Sequence, residues 1–203
     1  MSERPVAFVT GASRGIGAAT AREFAARGYD LTLVARSAGA LEEVAAQVTQ
    51  AGGDALVQCG DLFDLEFAES AVRETATRFG RLDVLVNNAA WRELVTMRTI
   101  SLESWERTIR ISLTAPAFLA KWAAEVMERR GQGGVIINIS SVVSERAPGF
   151  SPAYIACKGG LDSLTYDLAA LYGPAGIRVL SINPGAIDTE MAGDYASGDG
   201  EDL

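Results

Sequence analysis

The run Val6-Ala7-Phe8-Val9-Thr10-Gly11-Ala12-Ser13-Arg14-Gly15-Ile16-Gly17 decides the fold. Its first five residues form an apolar stretch of strand length, and residues 15–27 then repeat their apolar positions at helical spacing. Between them stand three glycines spaced G-x-x-x-G-x-G. Glycine lets the backbone turn tightly and approach a pyrophosphate, which then sits on the exposed N–H groups of the helix N-terminus. The common dinucleotide fingerprint is G-x-G-x-x-G, so the spacing alone is weak. The context, strand before and helix after, favours nucleotide binding over a merely structural turn. Gly11, Ser13, Arg14, Gly15, Ile16 and Gly17 are therefore candidate cofactor-binding residues.

The same alternation continues along the chain. Strand-length apolar runs occur at Val6–Thr10, Leu31–Ala35, Ala55–Cys59, Val84–Val86, Val135–Ile139 and Val179–Ile182. Amphipathic segments at 15–27, 38–51, 64–79, 101–129 and 152–172 separate them. Continuous Val/Ile/Leu strands, rather than alternating ones, predict a parallel sheet covered on both faces. The pattern predicts an α/β, doubly wound parallel sheet of Rossmann type with strand order 3-2-1-4-5-6. Residues 1–192 read as one domain. The acidic, Gly-rich stretch 193–203 is expected to be disordered.

Composition narrows the functions. A formal charge of −8 leaves no basic excess for a nucleic acid. The N-terminus lacks a signal peptide's apolar core, and no apolar run approaches bilayer length, so a cytoplasmic protein with no membrane partner is expected. Cys59 and Cys157 give no disulfide framework. Histidine is absent, which removes Ser-His-Asp and Cys-His sites and most zinc sites.

In an open α/β sheet, ligands bind beyond the C-terminal ends of the strands. The second strand ends Ala35-Arg36-Ser37, with an arginine where an acid would bond the adenosine 2′-hydroxyl. Arg14, inside the glycine turn, supplies a second guanidinium. Together they point to NADP(H) in preference to NAD(H). Asp61, followed by Leu62, stands where a carboxylate can accept from the adenine amino group, or else cap a helix. Asn87-Asn88-Ala89 ends the fourth strand, Ser140-Ser141 the fifth, and Pro184-Gly185-Ala186-Ile187-Asp188-Thr189 the sixth. Tyr154 and Lys158 are four residues apart and share a helix face. A phenol is a poor acid and base at neutral pH, and an ammonium one turn away favours its ionised form.

These motifs, in this order, resemble the short-chain dehydrogenase/reductase family in its compact single-domain form, and among its members the 3-oxoacyl carrier-protein reductases. The resemblance implies Tyr154 as general acid/base and Lys158 as the residue that tunes it and bonds the nicotinamide ribose. It implies Ser141 as the group polarising a substrate carbonyl. Asn88, Ala89, Pro184, Gly185, Ile187 and Thr189 are implied as cofactor contacts. The substrate is then a small carbonyl compound or alcohol, and hydride passes between it and the nicotinamide. A homodimer or homotetramer through 101–129 and 152–172 is expected, over apolar residues such as Leu113, Ala117, Phe118, Leu164, Leu168 and Leu171.

Three positions depart from the family. Ser112 stands where an asparagine usually supports a water-linked proton path, so its part in a relay is open. Ala90 replaces a glycine, with Trp91 beside it as a pocket wall. After Thr189 the family continues through a substrate-covering segment and a seventh strand, whereas this chain stops at Leu203. Either the sequence is truncated or the protein works with six strands and no lid. An NADPH-dependent oxidoreductase is expected, the alternative being an NADP(H)-binding sensor or scaffold with little turnover.

Overall fold

A computed structural model describes residues 3–189. Six strands form one parallel sheet in the order β3-β2-β1-β4-β5-β6. They are β1 (Val6–Thr10), β2 (Asp30–Ala35), β3 (Ala55–Cys59), β4 (Val84–Asn87), β5 (Gly134–Ile139) and β6 (Ile177–Ile182). The helices α1 (Gly15–Ala26), α2 (Ala38–Gln50), α3 (Leu65–Phe79), α4 (Leu102–Ile109), α5 (Ala115–Arg130) and α6 (Pro152–Tyr172) lie between them. The expected strand order is the observed one. The chain reverses from β1 outward, so the C-terminal ends of β1 and β4 open a crevice between them.

Alternation within each strand divides the core. Val6 and Phe8 face one layer with Leu85, Ile136 and Val179, packed under Val72 and Phe79 of α3 and Leu119 and Met127 of α5. Ala7 and Val9 face the other layer with Leu31, Leu33 and Val86, packed under Ala21 of α1 and Leu41 and Val48 of α2. Both faces are dry, which is why β1 reads as an unbroken apolar run.

The helix ends follow from local chemistry. Asp64 accepts the backbone N–H groups of Glu66 and Phe67 at the start of α3, and Ser101 accepts that of Ser104 at the start of α4. Gly80 and Gly131 close α3 and α5 in left-handed backbone. Asp83 ties β1 to the end of α5: it takes Arg81 through two bonds of 2.8 Å, Arg130 at 2.6 Å and the Val6 N–H at 2.7 Å.

The segment expected as one helix over 101–129 is two helices with a π-helical turn at Arg110–Thr114 between them. Pro116 is the reason. It has no N–H to give the carbonyl of Ser112, so the ladder shifts and Ala115 bonds Arg110 instead. The apolar face assigned to 101–129 and 152–172 divides as well. Phe118 and Leu171 are exposed, whereas Leu168 is buried and Leu164 packs on the core. The stretch 193–203 lies outside the described residues.

Candidate functional site

A cleft of about 880 Å³ opens along the C-terminal ends of the strands. Its floor begins at the glycine turn. Gly11 and Gly15 have φ of +64° and +52°, the left-handed region that glycine enters without strain. Gly17 does not line the cleft. It lies under the turn, where a Cβ would overlap the Gly11 carbonyl oxygen and the Asn88 side-chain amide. Its role is to let α1 approach the turn. No side chain caps α1 and no acid stands in its first turn, so its leading N–H groups face the cleft unscreened.

Asn88 ties the crevice together rather than simply lining it. Its Nδ2 donates to the carbonyls of Thr10, at 2.9 Å, and Gly11, at 3.3 Å. In return, Thr10 Oγ1 accepts the N–H groups of Asn88 and Ala89, both at 2.9 Å. The adjacent Asn87 points into the core instead, donating to Asn138 at 2.9 Å and to the Pro116 carbonyl at 3.1 Å.

At the β2–β3 end, Arg14, Arg36, Asp61 and Leu62 line the cleft as expected, with Ala89 opposite. Asp61 is already engaged. Its Oδ2 accepts from Arg107 of α4 at 2.8 Å and its Oδ1 from the Phe63 N–H at 3.0 Å. Both Arg36 and Arg107 stand over the ring of Trp91, at 5.4 and 4.6 Å. Asp61 thus forms a turn and an ion pair, and the cap of α3 falls to Asp64 instead.

At the β5–β6 end, Ser141, Tyr154 and Lys158 line the same cleft with Pro184, Gly185, Ile187 and Thr189. Ser151, the residue before α6, has φ +59° and is held there by Val95 and Glu93, whose carbonyls accept its N–H at 2.7 Å and its hydroxyl at 2.8 Å. That grip sets the direction from which α6 presents Tyr154. Lys158 is 3% exposed and its Nζ donates to the Ile139 carbonyl at 2.5 Å. The same Nζ stands 5.2 Å from the centre of the Tyr154 ring. Burial lowers the lysine pKa to about 8, against smaller opposing effects from Cys157 and Asp162. A positive charge at that range favours the phenolate.

One turn on from Lys158, Asp162 anchors the strand ends behind the site. Burial pushes its carboxyl up, but hydrogen bonds from Ser181, Ser144, Ser140 and Asn183 outweigh this and hold it below the usual range. Ser181 reaches it at 2.5 Å and Asn183 at 3.0 Å. Cys157, buried beside Lys158, has its thiol pushed up to about 12 by burial and is inert.

Ser112 is not at the cleft surface. Its hydroxyl accepts the Trp91 N–H at 2.9 Å and donates to the Trp91 carbonyl at 3.1 Å. Its one proton goes to the backbone, so the side chain fixes the loop after β4. Sequence reasoning missed Arg107 and the segment with Arg146, Pro148 and Phe150 that walls the cleft near Tyr154. Arg107 carried no signal, since it sits mid-helix and reaches Asp61 only through the fold. Among the described residues no group of three or more His, Cys, Asp or Glu side chains could hold a metal ion, and no helix is long and apolar enough to cross a membrane.

A phosphate-sized cradle at an uncapped helix, two arginines beyond it, and a Tyr/Lys pair at the far end fit a nicotinamide dinucleotide and define a hydride-transfer oxidoreductase. The short chain dehydrogenase family profile matches residues 5–200. An uncharacterized oxidoreductase of Thermotoga maritima is 40% identical over 93% of this chain and 73% of its own. The cis-4-hydroxycyclohexanecarboxylate dehydrogenase of Sinomonas cyclohexanicum is 38% identical over 92% and 74%. The crystal structure of a short-chain type dehydrogenase/reductase from Mycobacterium marinum superposes with a TM-score of 0.90 at 30% identity, covering 95% of this chain and 76% of that one. The chain belongs to the short-chain dehydrogenase/reductase family, NAD(P)(H)-using enzymes that act on alcohols and carbonyls. It spans about three quarters of the length of these relatives.

Proposed function

We propose that this protein is an NADP(H)-dependent oxidoreductase of small carbonyl compounds and secondary alcohols, with Tyr154 as the proton-transfer residue. The observation that carries the reading is the Tyr154–Lys158 pair, one helical turn apart on α6, in one cleft with Ser141. The hydride is the chemistry a nicotinamide dinucleotide supplies when bound. The chain's own residues supply the rest. The N–H groups at the head of α1 hold phosphate, and Arg14 and Arg36 add paired charge-assisted bonds. The Ser141 hydroxyl holds the substrate oxygen, and Tyr154 gives it a proton in reduction or takes one in oxidation. Lys158 keeps the phenol ionisable from a site closed to water. Pro184, Gly185, Ile187 and Thr189 form the wall opposite α1 and hold the carboxamide end of the cofactor.

Val142, Val143, Pro148, Phe150 and Ile187 make the Tyr154 end largely apolar, which suits a ring or short chain around the reacting carbon. The relative named a cis-4-hydroxycyclohexanecarboxylate dehydrogenase gives ring alcohols a first place in a substrate panel. Ser112 acts as a positioning residue through Trp91. Residues 1–192 form the one catalytic domain, the enzyme is cytoplasmic, and exposed Phe118 and Leu171 contribute to a homo-oligomer.

The test is oxidation and reduction of a panel of cyclic and linear alcohols and ketones with NADPH and NADH, by wild type and by Tyr154→Phe. The expected outcome is turnover faster with NADPH and a loss of about 10²–10⁴-fold in the variant, with nucleotide binding retained. Wild-type turnover by Tyr154→Phe overturns the reading.

A further inference from the structure

Tyr154, Lys158 and Asp162 follow one another at successive turns along one face of α6. The first two line the cleft, whereas Asp162 stands behind its wall. Its carboxylate is met from the end of β6. Ser181 donates to Oδ1 at 2.5 Å and Asn183 donates to Oδ2 at 3.0 Å. The Ser181 hydroxyl also lies 2.9 Å from the Asn183 Oδ1, so the three side chains close a ring. A carboxylate, which accepts and does not donate, suits a point where two donors from one strand converge.

That ring is fastened to both turns that wall the Tyr154 end. Asn183 immediately precedes Pro184, where the wall of Pro184, Gly185, Ile187 and Thr189 begins. Its Nδ2 also donates to Ser144 Oγ at 3.3 Å, and Ser144 donates to the Ser141 carbonyl at 2.8 Å. The backbone joins the same two turns, since the Val142 N–H reaches the Pro184 carbonyl at 3.1 Å. On the helix side, the Lys158 carbonyl accepts from Ser140 at 3.2 Å. The turn after β6, the turn that carries Ser141 and the helix that carries Tyr154 therefore meet at Asp162, outside the cleft itself. In such a network the loss of one member is felt by the others.

We infer that Asp162 is a positioning residue for the nicotinamide end of the cofactor: through Ser181 and Asn183 it pins the turn after β6 to the helix that carries Tyr154 and Lys158. The inference rests on reading the wall at 184–189 as the place of the carboxamide. Asp162 acts through its hydrogen bonds and not through its charge.

The test separates the two ends of the cofactor and needs no turnover. Dissociation constants of NADP⁺, NAD⁺, adenosine 2′,5′-bisphosphate and 5′-AMP are measured by calorimetry for the whole chain. The last two occupy only the adenosine end. Asp162→Ala should weaken the tighter dinucleotide by about five- to tenfold and leave the fragments unchanged. Asp162→Asn should bind all four like wild type. It loses the charge, yet its amide can accept from Asn183 and donate to Ser181, whose own proton then turns to the Asn183 Oδ1. A merely structural role would move fragments and dinucleotides together, and a role through charge would leave the two variants equally weak. Where Asp162→Ala fails to fold, Asn183→Ala breaks the same link from an exposed position and should give the same split. Unchanged dinucleotide affinity, equal losses for the fragments, or equal losses in the two Asp162 variants overturns the inference and leaves the oxidoreductase reading standing. So does a wild type that holds a dinucleotide no more tightly than its fragment. A wild type that binds neither dinucleotide overturns both.

Discussion

Replacing Lys158 by Met should stabilise the protein near neutral pH while abolishing turnover. Lys158 is buried among α6, β5 and the cleft floor, and burial lowers its pKa from 10.5 to about 8. A folded-state pKa below the unfolded one means the unfolded chain binds more protons between those values. The contribution to stability is therefore complete above 10.5 and lost as pH falls through about 8. At about 1.4 kcal/mol per unit, holding the charged lysine near pH 7 costs about 3 kcal/mol, falling to about 1 kcal/mol near pH 9.5. Methionine fills a similar volume and carries no charge, but it leaves the Ile139 carbonyl without its donor, a loss of about 1–2 kcal/mol. The net gain for Lys158→Met is about 1–2 kcal/mol near pH 7, and it vanishes or reverses near pH 9.5. Urea unfolding of both proteins at the two pH values measures the difference of differences, in which groups common to both cancel. Wild type should gain about 2 kcal/mol relative to the variant over that interval. Parallel changes in the two proteins would refute the argument, because they would mean that the lysine carries no burial cost for the site to exploit.

Three further outcomes follow from single contacts. Gly17→Ala should lower stability and dinucleotide affinity together, because the added methyl meets the Gly11 carbonyl and Asn88 amide that shape the turn; thermal melting with and without nucleotide reads both. Asp83→Asn should cost about 2 kcal/mol near pH 7, between the values for exposed and buried pairs. Burial raises the Asp83 carboxyl but Arg81, the Val6 N–H and Arg130 hold it below its usual 3.8, so the deficit should shrink as pH falls below about that value in acid unfolding curves. A thiol reagent should label one cysteine in the native protein, exposed Cys59, and reach buried Cys157 only after unfolding.

What could be read in the sequence was what depends on neighbours in the chain. The two-faced burial of β1 shows as an unbroken apolar run, and the position of Lys158 relative to Tyr154 is fixed by helical pitch alone. These needed no tertiary knowledge. Beyond these, one feature turns on a single proline and two turn on residues distant in sequence. The helix expected over 101–129 breaks because Pro116 withholds a hydrogen bond, a signal that was present but was outweighed by the apolar period around it. Ser112, weighed for a proton path, spends its hydroxyl on Trp91, a residue twenty-one positions earlier. Asp61, read as an adenine acceptor or a helix cap, also pairs with an arginine forty-six positions away. The last two are a hydrogen bond and an ion pair with no local spacing rule, made between segments that only the fold brings together. Ser112 and Asp61 both bear on the part of the cleft beside Trp91. The Tyr154 end was legible because one helix carries both Tyr154 and Lys158. The opposite end was not, because the ends of β2, β3 and β4 and the helix α4 each supply one part of it.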